Sequence, residues 1–501
     1  MASRPEPRPR DWRWPQLCAL LAVVGLLLID GCASYGNKAY RLGDGASIET
    51  PEYTMRFVEA DDEGWLWSPK QASDTIDTVT QSAASVDTFV VLFVHGWHHS
   101  ARCCDDNIEG FKETLAKLHS QLLKMSSRAV PAAVQPGGKP AENFRLIGIY
   151  VAWRGASLPG FLDYVTFWGR KSAAQRTGEV DLREFLDRLN QVYRRHNETT
   201  GKQTAQATDT APNTFLGLVT IGHSFGGQVL LRSVSAALEQ ELQSVTPVPG
   251  YLRSESPTQP QPLGRPLRGF GDLVVLVNPA VESAAYQRLR ALSQELTYPD
   301  GQTPVMLTVS ADNDVPRRWP FRWGRILGEW FTNKPYNENE HERESERQAL
   351  GIYSQNGLQI THRLQPLDDK ATLVAKTRTH TPEPFCAQNG TCTCEWLEWR
   401  NPLPPIKPDS LSWDATATLD RYDFSAETIF NNVVLEPLPA ASAPASHYEP
   451  FVVASASPAI IDGHSGIFSE PFIEFLTSYI GFIEGKEYLL TAEGKQSKHS
   501  P

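Results

Sequence analysis

The sequence predicts an α/β fold, a mostly parallel sheet doubly covered by helices. Two periodicities carry this expectation. Continuous apolar runs too short to be helices recur along the chain, and helix-period apolar patterns alternate with them. A glycine-rich turn at residues 222–227 sits directly between one such run and the helical pattern that follows it.

The elements follow in order. Residues 53–58 and 65–67 read as early strands, and 88–94 is a continuous apolar run suited to a buried parallel strand. From Asp105 or Asp106 as N-cap, Ile108, Phe111, Leu115, Leu118 and Leu122 recur at intervals of three and four, which marks an amphipathic helix. Residues 145–153 form the next strand. Val180, Leu182, Phe185, Leu186, Leu189, Val192 and Tyr193 then give a second helix. Residues 214–221 are apolar and β-branched, as a strand requires, and Val229, Leu230, Val234, Ala237 and Leu238 define the helix after Ser224. Two more strands are expected at 272–277 and 305–309, a last one at 450–454, and a final helix carrying Phe472, Ile473, Phe475, Leu476, Tyr479 and Ile480. Six prolines between 246 and 266 mark a surface loop, and 316–448 reads as a cap-like insertion before the last strand. The globular domain is thus expected over 51–488, with a polar tail at 489–501.

Of 501 residues, 41% are hydrophobic and 21% charged, which fits a chain with a folded core. The net charge of -11 leaves no global basic field to attract phosphates, so nucleic acid is not an expected partner. Arg4, Arg8, Arg10 and Arg13 precede an apolar run over 17–29, the pattern of an export signal over 1–31. The run ends at Leu28-Ile29-Asp30-Gly31-Cys32, which resembles a bacterial lipoprotein signal and implies lipidation of Cys32, a tether over 32–50 and an envelope location. Asp30 departs from that pattern, and an ordinary signal peptide or an uncleaved anchor is the alternative. In an oxidising compartment Cys386 can pair with Cys392 or Cys394 in a small loop. No histidine stands at a matching interval, so the cysteine cluster is not read as a zinc site.

The chemistry centres on Gly222-His223-Ser224-Phe225-Gly226-Gly227. A serine nucleophile must project from a tight, strained strand-to-helix turn, and small neighbours let the strand and helix approach. The helix that follows also aims its first amides at a developing oxyanion. Upstream, His95-Gly96-Trp97 closes the 88–94 strand and can supply a second donor, so the amides of Trp97 and Phe225 are the expected oxyanion hole. A serine hydroxyl needs a base, and the base an orienting acid. Ser310-Ala311-Asp312-Asn313-Asp314 follows a strand and offers the acid: Asp314 is preferred, Asp312 is the alternative and Glu282 a distant third. His464, in Asp462-Gly463-His464 after the last strand, occupies the slot for the base, while His98, His99 and His223 are the other histidines near the expected site.

The Phe-Val-His-Gly-Trp-His-His strand end, the Gly-His-Ser-Phe-Gly-Gly turn and the late Asp-Gly-His loop together resemble the α/β-hydrolase superfamily, especially its bacterial esterase or lipase-like members. The segment 150–178 also looks like a feature of that group. The resemblance implies a triad of Ser224, His464 and Asp314 that cleaves carboxylic esters through an acyl-enzyme, without metal or organic cofactor, on a small-molecule or lipid acyl ester. A thioesterase or acyltransferase can use the same triad, and a binding or scaffolding lipoprotein can keep the fold without turnover. The aromatic-basic stretch over 317–323, with Trp330, suits a lipid-facing lid; the preferred expectation is that its aromatics pack over the sheet while its arginines stay solvated.

Overall fold

The computed structural model describes residues 39–129, 144–155, 167–203, 214–245, 260–299, 301–318, 320–329, 340–352, 360–367, 385–386, 392–393, 428–438 and 449–496. The export signal, Cys32, the early part of the tether, most of the proline-rich loop, Trp330 and Cys394 lie outside them.

Eleven strands form one sheet: β1 (Ser47–Glu49), β2 (Thr54–Glu59), β3 (Asp87–Val94), β4 (Phe144–Ala152), β5 (Leu216–His223), β6 (Leu273–Val277), β7 (Met306–Ala311), β8 (His362–Pro366), β9 (Thr428–Phe430), β10 (Val433–Pro437) and β11 (Phe451–Ala456). Their spatial order is β1-β2-β4-β3-β5-β6-β7-β11-β8-β10-β9. Every pairing from β2 to β8 is parallel, and antiparallel pairs occur only at the two edges. The α/β character and the mostly parallel sheet therefore follow the sequence pattern.

Alternation along β3 shows why these runs must be strands. Val90, Leu92 and Val94 enter one apolar cluster and Phe89, Val91 and Phe93 the other, so both faces are buried. On the first face lie α1 (Pro69–Ala83), α3 (Phe167–Thr177), α4 (Asp181–Gln203), α5 (Phe225–Val245) and α6 (Ser283–Gln294). On the second lie α2 (Asp106–Ala129) and α7 (Glu470–Gln496), which pack on each other as well as on the sheet. Ile108, Phe111, Leu115, Leu118 and Leu122 of α2 are all buried; each such side chain contributes roughly 1.5–3 kcal/mol of transfer free energy.

The structure departs from the expectations at four places. Residues 65–67 form no strand: Leu66 makes a single antiparallel bridge to Ala60, because the chain turns at Gly64 and α1 begins at Pro69. The tether expected over 32–50 does not extend to residue 50. The amides of Tyr40 and Arg41 donate to the Glu59 carboxylate at 2.8 Å, and Ser47–Glu49 pairs with β2. The interval 316–448 is not wholly a cap, since β8, β9 and β10 extend the sheet past β11 and bury Leu364, Phe430, Val433 and Leu435. Finally, α7 runs on through Gln496, into the stretch expected to be a tail. In the cysteine region the backbone pairs Phe385–Cys386 with Cys392–Thr393 and sets Cys386 opposite Cys392. Cys103 and Cys104, which carry no expected role, are both disulfide-bonded.

Candidate active site

Five neighbouring strands, β3, β5, β6, β7 and β11, deliver polar residues to one edge of the sheet, at their C-terminal ends. Such edges collect sites because parallel strands all terminate there and the loops beyond them converge.

Ser224 links β5 to α5 with φ +54°, a left-handed conformation that costs a non-glycine residue on the order of 1–2 kcal/mol. The surroundings hold it there. Its N–H donates to the Val277 carbonyl at 3.0 Å, and its own carbonyl accepts the Ala280 N–H at 3.0 Å. Gly226 allows α5 to start this close to β3: a Cβ there would lie 2.2 Å from the Val94 carbonyl oxygen and 2.4 Å from that of His95. A Cβ on Gly96 would likewise meet the His223 ring and the Ser224 Cβ at 3.0 Å.

The structure brings Ser224, His464 and Asp314 together. His464 Nδ1 donates to Asp314 Oδ2 at 2.7 Å, which leaves Nε2 to accept the Ser224 Oγ hydrogen at 2.7 Å. The His464 side chain is 19% exposed and Asp314 is fully buried. Burial would raise the Asp314 carboxyl, but the Arg317 charge and the hydrogen bonds from His464 and Arg317 outweigh it and hold it well below the usual carboxylate range. Asp312 instead accepts the Ser455 hydroxyl, and Glu282 pairs with Lys171 at 2.8 Å and Arg325 at 3.3 Å.

Trp97 and Phe225 stand on either side of the Ser224 turn, with ring centroids 6.2 Å apart. Phe225 opens α5, so its N–H belongs to the first turn, whose amides have no acceptor within the helix. The Trp97 turn is fastened by His95. The His95 ring donates from Nδ1 to the Gly96 carbonyl at 2.9 Å and accepts the Trp153 N–H at Nε2, 3.1 Å away, while the Trp153 indole returns a bond to the His95 carbonyl. Burial pushes His95 down to about 4, so the ring is neutral and structural.

The other histidines take no part in the relay. His98 is exposed and stacks on Trp97, and His99 is tied to Asp105 at 2.9 Å and Asn107 at 3.1 Å. His223 donates from Nε2 to the His464 carbonyl at 3.1 Å, and burial, reinforced by His464, holds it well below its ordinary value.

Three residues to which the sequence pattern assigns no catalytic role complete the site. Asn278 donates to the His464 carbonyl at 2.8 Å, and its Oδ1 accepts the Ala311 N–H at 2.8 Å. Asn313 clasps the base loop, donating to Asp462 at 2.7 Å and accepting the Gly463 N–H at 2.8 Å. Arg317 is 1% exposed and binds Asp314 Oδ2 through Nε at 2.5 Å. Here the expectation for the aromatic-basic stretch holds in part: Phe321 is buried in the core and Arg318 is exposed, but Arg317 is buried because Asp314 neutralises it and nearby carbonyls take its N–H groups, and Trp323 is 58% exposed. Among the described residues no three His, Cys, Asp or Glu side chains converge as metal ligands would, and no helix is long and apolar enough to cross a membrane.

No protein-family model, curated protein or solved structure matches this chain. The function must be argued from the site.

Proposed function

We propose that the protein is a serine hydrolase of the α/β-hydrolase fold that cleaves carboxylic esters through an acyl-enzyme. The observation that carries this reading is the unbroken relay Ser224 Oγ to His464 Nε2 and His464 Nδ1 to Asp314 Oδ2, each at 2.7 Å, from a serine at φ +54°. The chain order Ser, Asp, His and the strand-turn-helix setting of the serine support the hydrolase fold.

In this mechanism Ser224 Oγ attacks the acyl carbon as His464 Nε2 takes its proton. The imidazolium that forms is stabilised by Asp314, whose depressed pKa keeps it ionised at any working pH. The oxyanion of the tetrahedral intermediate points to the amides of Trp97 and Phe225. Collapse expels the alcohol, which leaves with the proton from His464, and water repeats the cycle on the acyl-Ser224 ester. The N-terminal signal and Cys32 would deliver the enzyme to the cell envelope, where small-molecule or lipid acyl esters are the substrates.

Turnover of nitrophenyl esters from acetyl to palmitoyl tests the reading. The wild type is expected to release nitrophenol, and Ser224→Ala to lose on the order of 10⁴-fold or more in kcat/KM. Equal rates for the two proteins contradict it.

A further inference from the structure

We propose that Arg317, acting with Asn278, is a positioning residue for the Ser224 relay, gripping the side chain of the acid and, through Asn278, the main chain of the base. The proposal rests on the serine hydrolase reading and adds a device to it.

The geometry is that of a brace. Arg317 stands one helical turn after Asp314 and contacts it twice: the Arg317 N–H donates to Oδ1 at 3.1 Å and Nε to Oδ2 at 2.5 Å. The same Oδ2 receives His464 Nδ1, so guanidinium and imidazole share one oxygen. The remaining guanidinium donors are spent on fixed atoms: Nη1 reaches the carbonyls of Pro279 at 3.4 Å and Leu350 at 3.0 Å and the Ser310 hydroxyl at 3.2 Å, and Nη2 reaches Asn278 Oδ1 at 3.3 Å. Asn278, at φ +45°, turns its Nδ2 to the His464 carbonyl. One planar cation thereby ties the ends of β6 and β7 and, through one amide, the loop after β11.

A buried arginine beside a buried carboxylate could serve stability alone. Sharing Oδ2 gives it a chemical consequence as well. The guanidinium on Oδ2 fixes the plane and distance at which the carboxylate meets His464 Nδ1, so Arg317 sets the orientation of the base toward Ser224. The other titratable groups around the pair have their own partners: Asp312 with Ser455, Asp462 with Asn313, Glu282 with Lys171 and Arg325, His99 with Asp105, and His223 neutral against the His464 carbonyl. Lysine cannot replace the fork, because an ammonium has three donors and no plane with which to span five acceptors.

The test is the rate of fluorophosphonate labelling as a function of pH, on the full-length wild type, Arg317→Met, Arg317→Lys and Asn278→Gly, with Ser224→Ala as control. The methionine variant is expected to label about a hundredfold slower on the plateau, and the lysine variant, which keeps the charge but not the fork, about tenfold slower. Asn278→Gly, which permits the positive φ while deleting the amide, is expected to slow the plateau about tenfold. If Arg317→Met does not fold, the lysine and glycine variants decide. A wild type labelled at Ser224 alongside folded variants with an unchanged plateau overturns the role of Arg317 while leaving the hydrolase intact. A wild type that labels no faster than Ser224→Ala overturns the hydrolase reading and this role with it.

Discussion

At Asp314, burial pulls one way and charge with hydrogen bonding the other, and the latter win because the Arg317 cation and the His464 Nδ1–H meet one oxygen. The consequence for stability has a definite sign. A carboxyl whose folded pKa lies below its unfolded value of about 3.9 contributes stability that is complete above that pH and is lost as pH falls toward the depressed value. Asp314→Asn leaves Arg317 without its counter-charge, so it is expected to be less stable than the wild type at neutral pH, with the gap closing as denaturant midpoints are followed below about pH 4. Catalysis separates the two aspartates more sharply. Asp314→Asn is expected to lose on the order of 10⁴-fold in kcat and Asp312→Asn only a few-fold, because Asp312 serves Ser455 and not His464; comparable losses in steady-state assays would contradict the assignment. His95 offers a third readout. Its ring is buried and held neutral near 4 against an ordinary 6.5, so it too stabilises the fold above 6.5 and loses that contribution as pH falls to 4, about 3 kcal/mol in all. His95→Gln is expected to flatten this limb of the stability-pH curve. The meeting of Ser224, Asp314 and His464 was legible in the sequence because each follows a strand that ends at the same edge of the sheet. Arg317 and Asn278 were not, because a buried arginine and a left-handed asparagine act through partners that only the folded sheet assembles.

The turn after β5 works only if α5 begins almost in contact with the end of β3. The sequence marks this with glycine, and the structure gives the reason, since Gly226 faces the carbonyls of Val94 and His95. Gly226→Ala must move backbone rather than a side chain, so a cost of about 1–3 kcal/mol in denaturant unfolding and a loss of labelling at Ser224 are expected together. Wild-type labelling in this variant would show that the oxyanion turn does not depend on that contact. The long strands and the helices α2, α4 and α5 were well placed by periodicity, whereas α1, which buries Gln71, Ala72, Thr75 and Ser82 rather than a strongly apolar stripe, was not anticipated, nor were α3 and α6. The short stretch at 65–67 was misplaced, because an alternation of three residues is shared by a strand and by the turn that leads into α1.

On the scale of the molecule, three strands from the 316–448 interval complete the far edge of the sheet. They were hidden because all three are only three to five residues long, and a long polar and proline-rich stretch with no period separates β8 from the tight hairpin of β9 and β10. Their burial predicts that this part of the chain behaves as core and not as a detachable cap. Leu435→Ala is expected to cost about 2–5 kcal/mol in equilibrium unfolding, whereas a change below about 0.5 kcal/mol would match a surface insertion.

The central claim is that Ser224 is an activated nucleophile, and locating the adduct tests it most directly. After reaction of the folded protein with a fluorophosphonate, intact mass and peptide mapping should show one added group per chain, carried by the peptide containing Ser224 and absent from Ser224→Ala. An unmodified wild type, or an adduct on any other residue, would contradict the account.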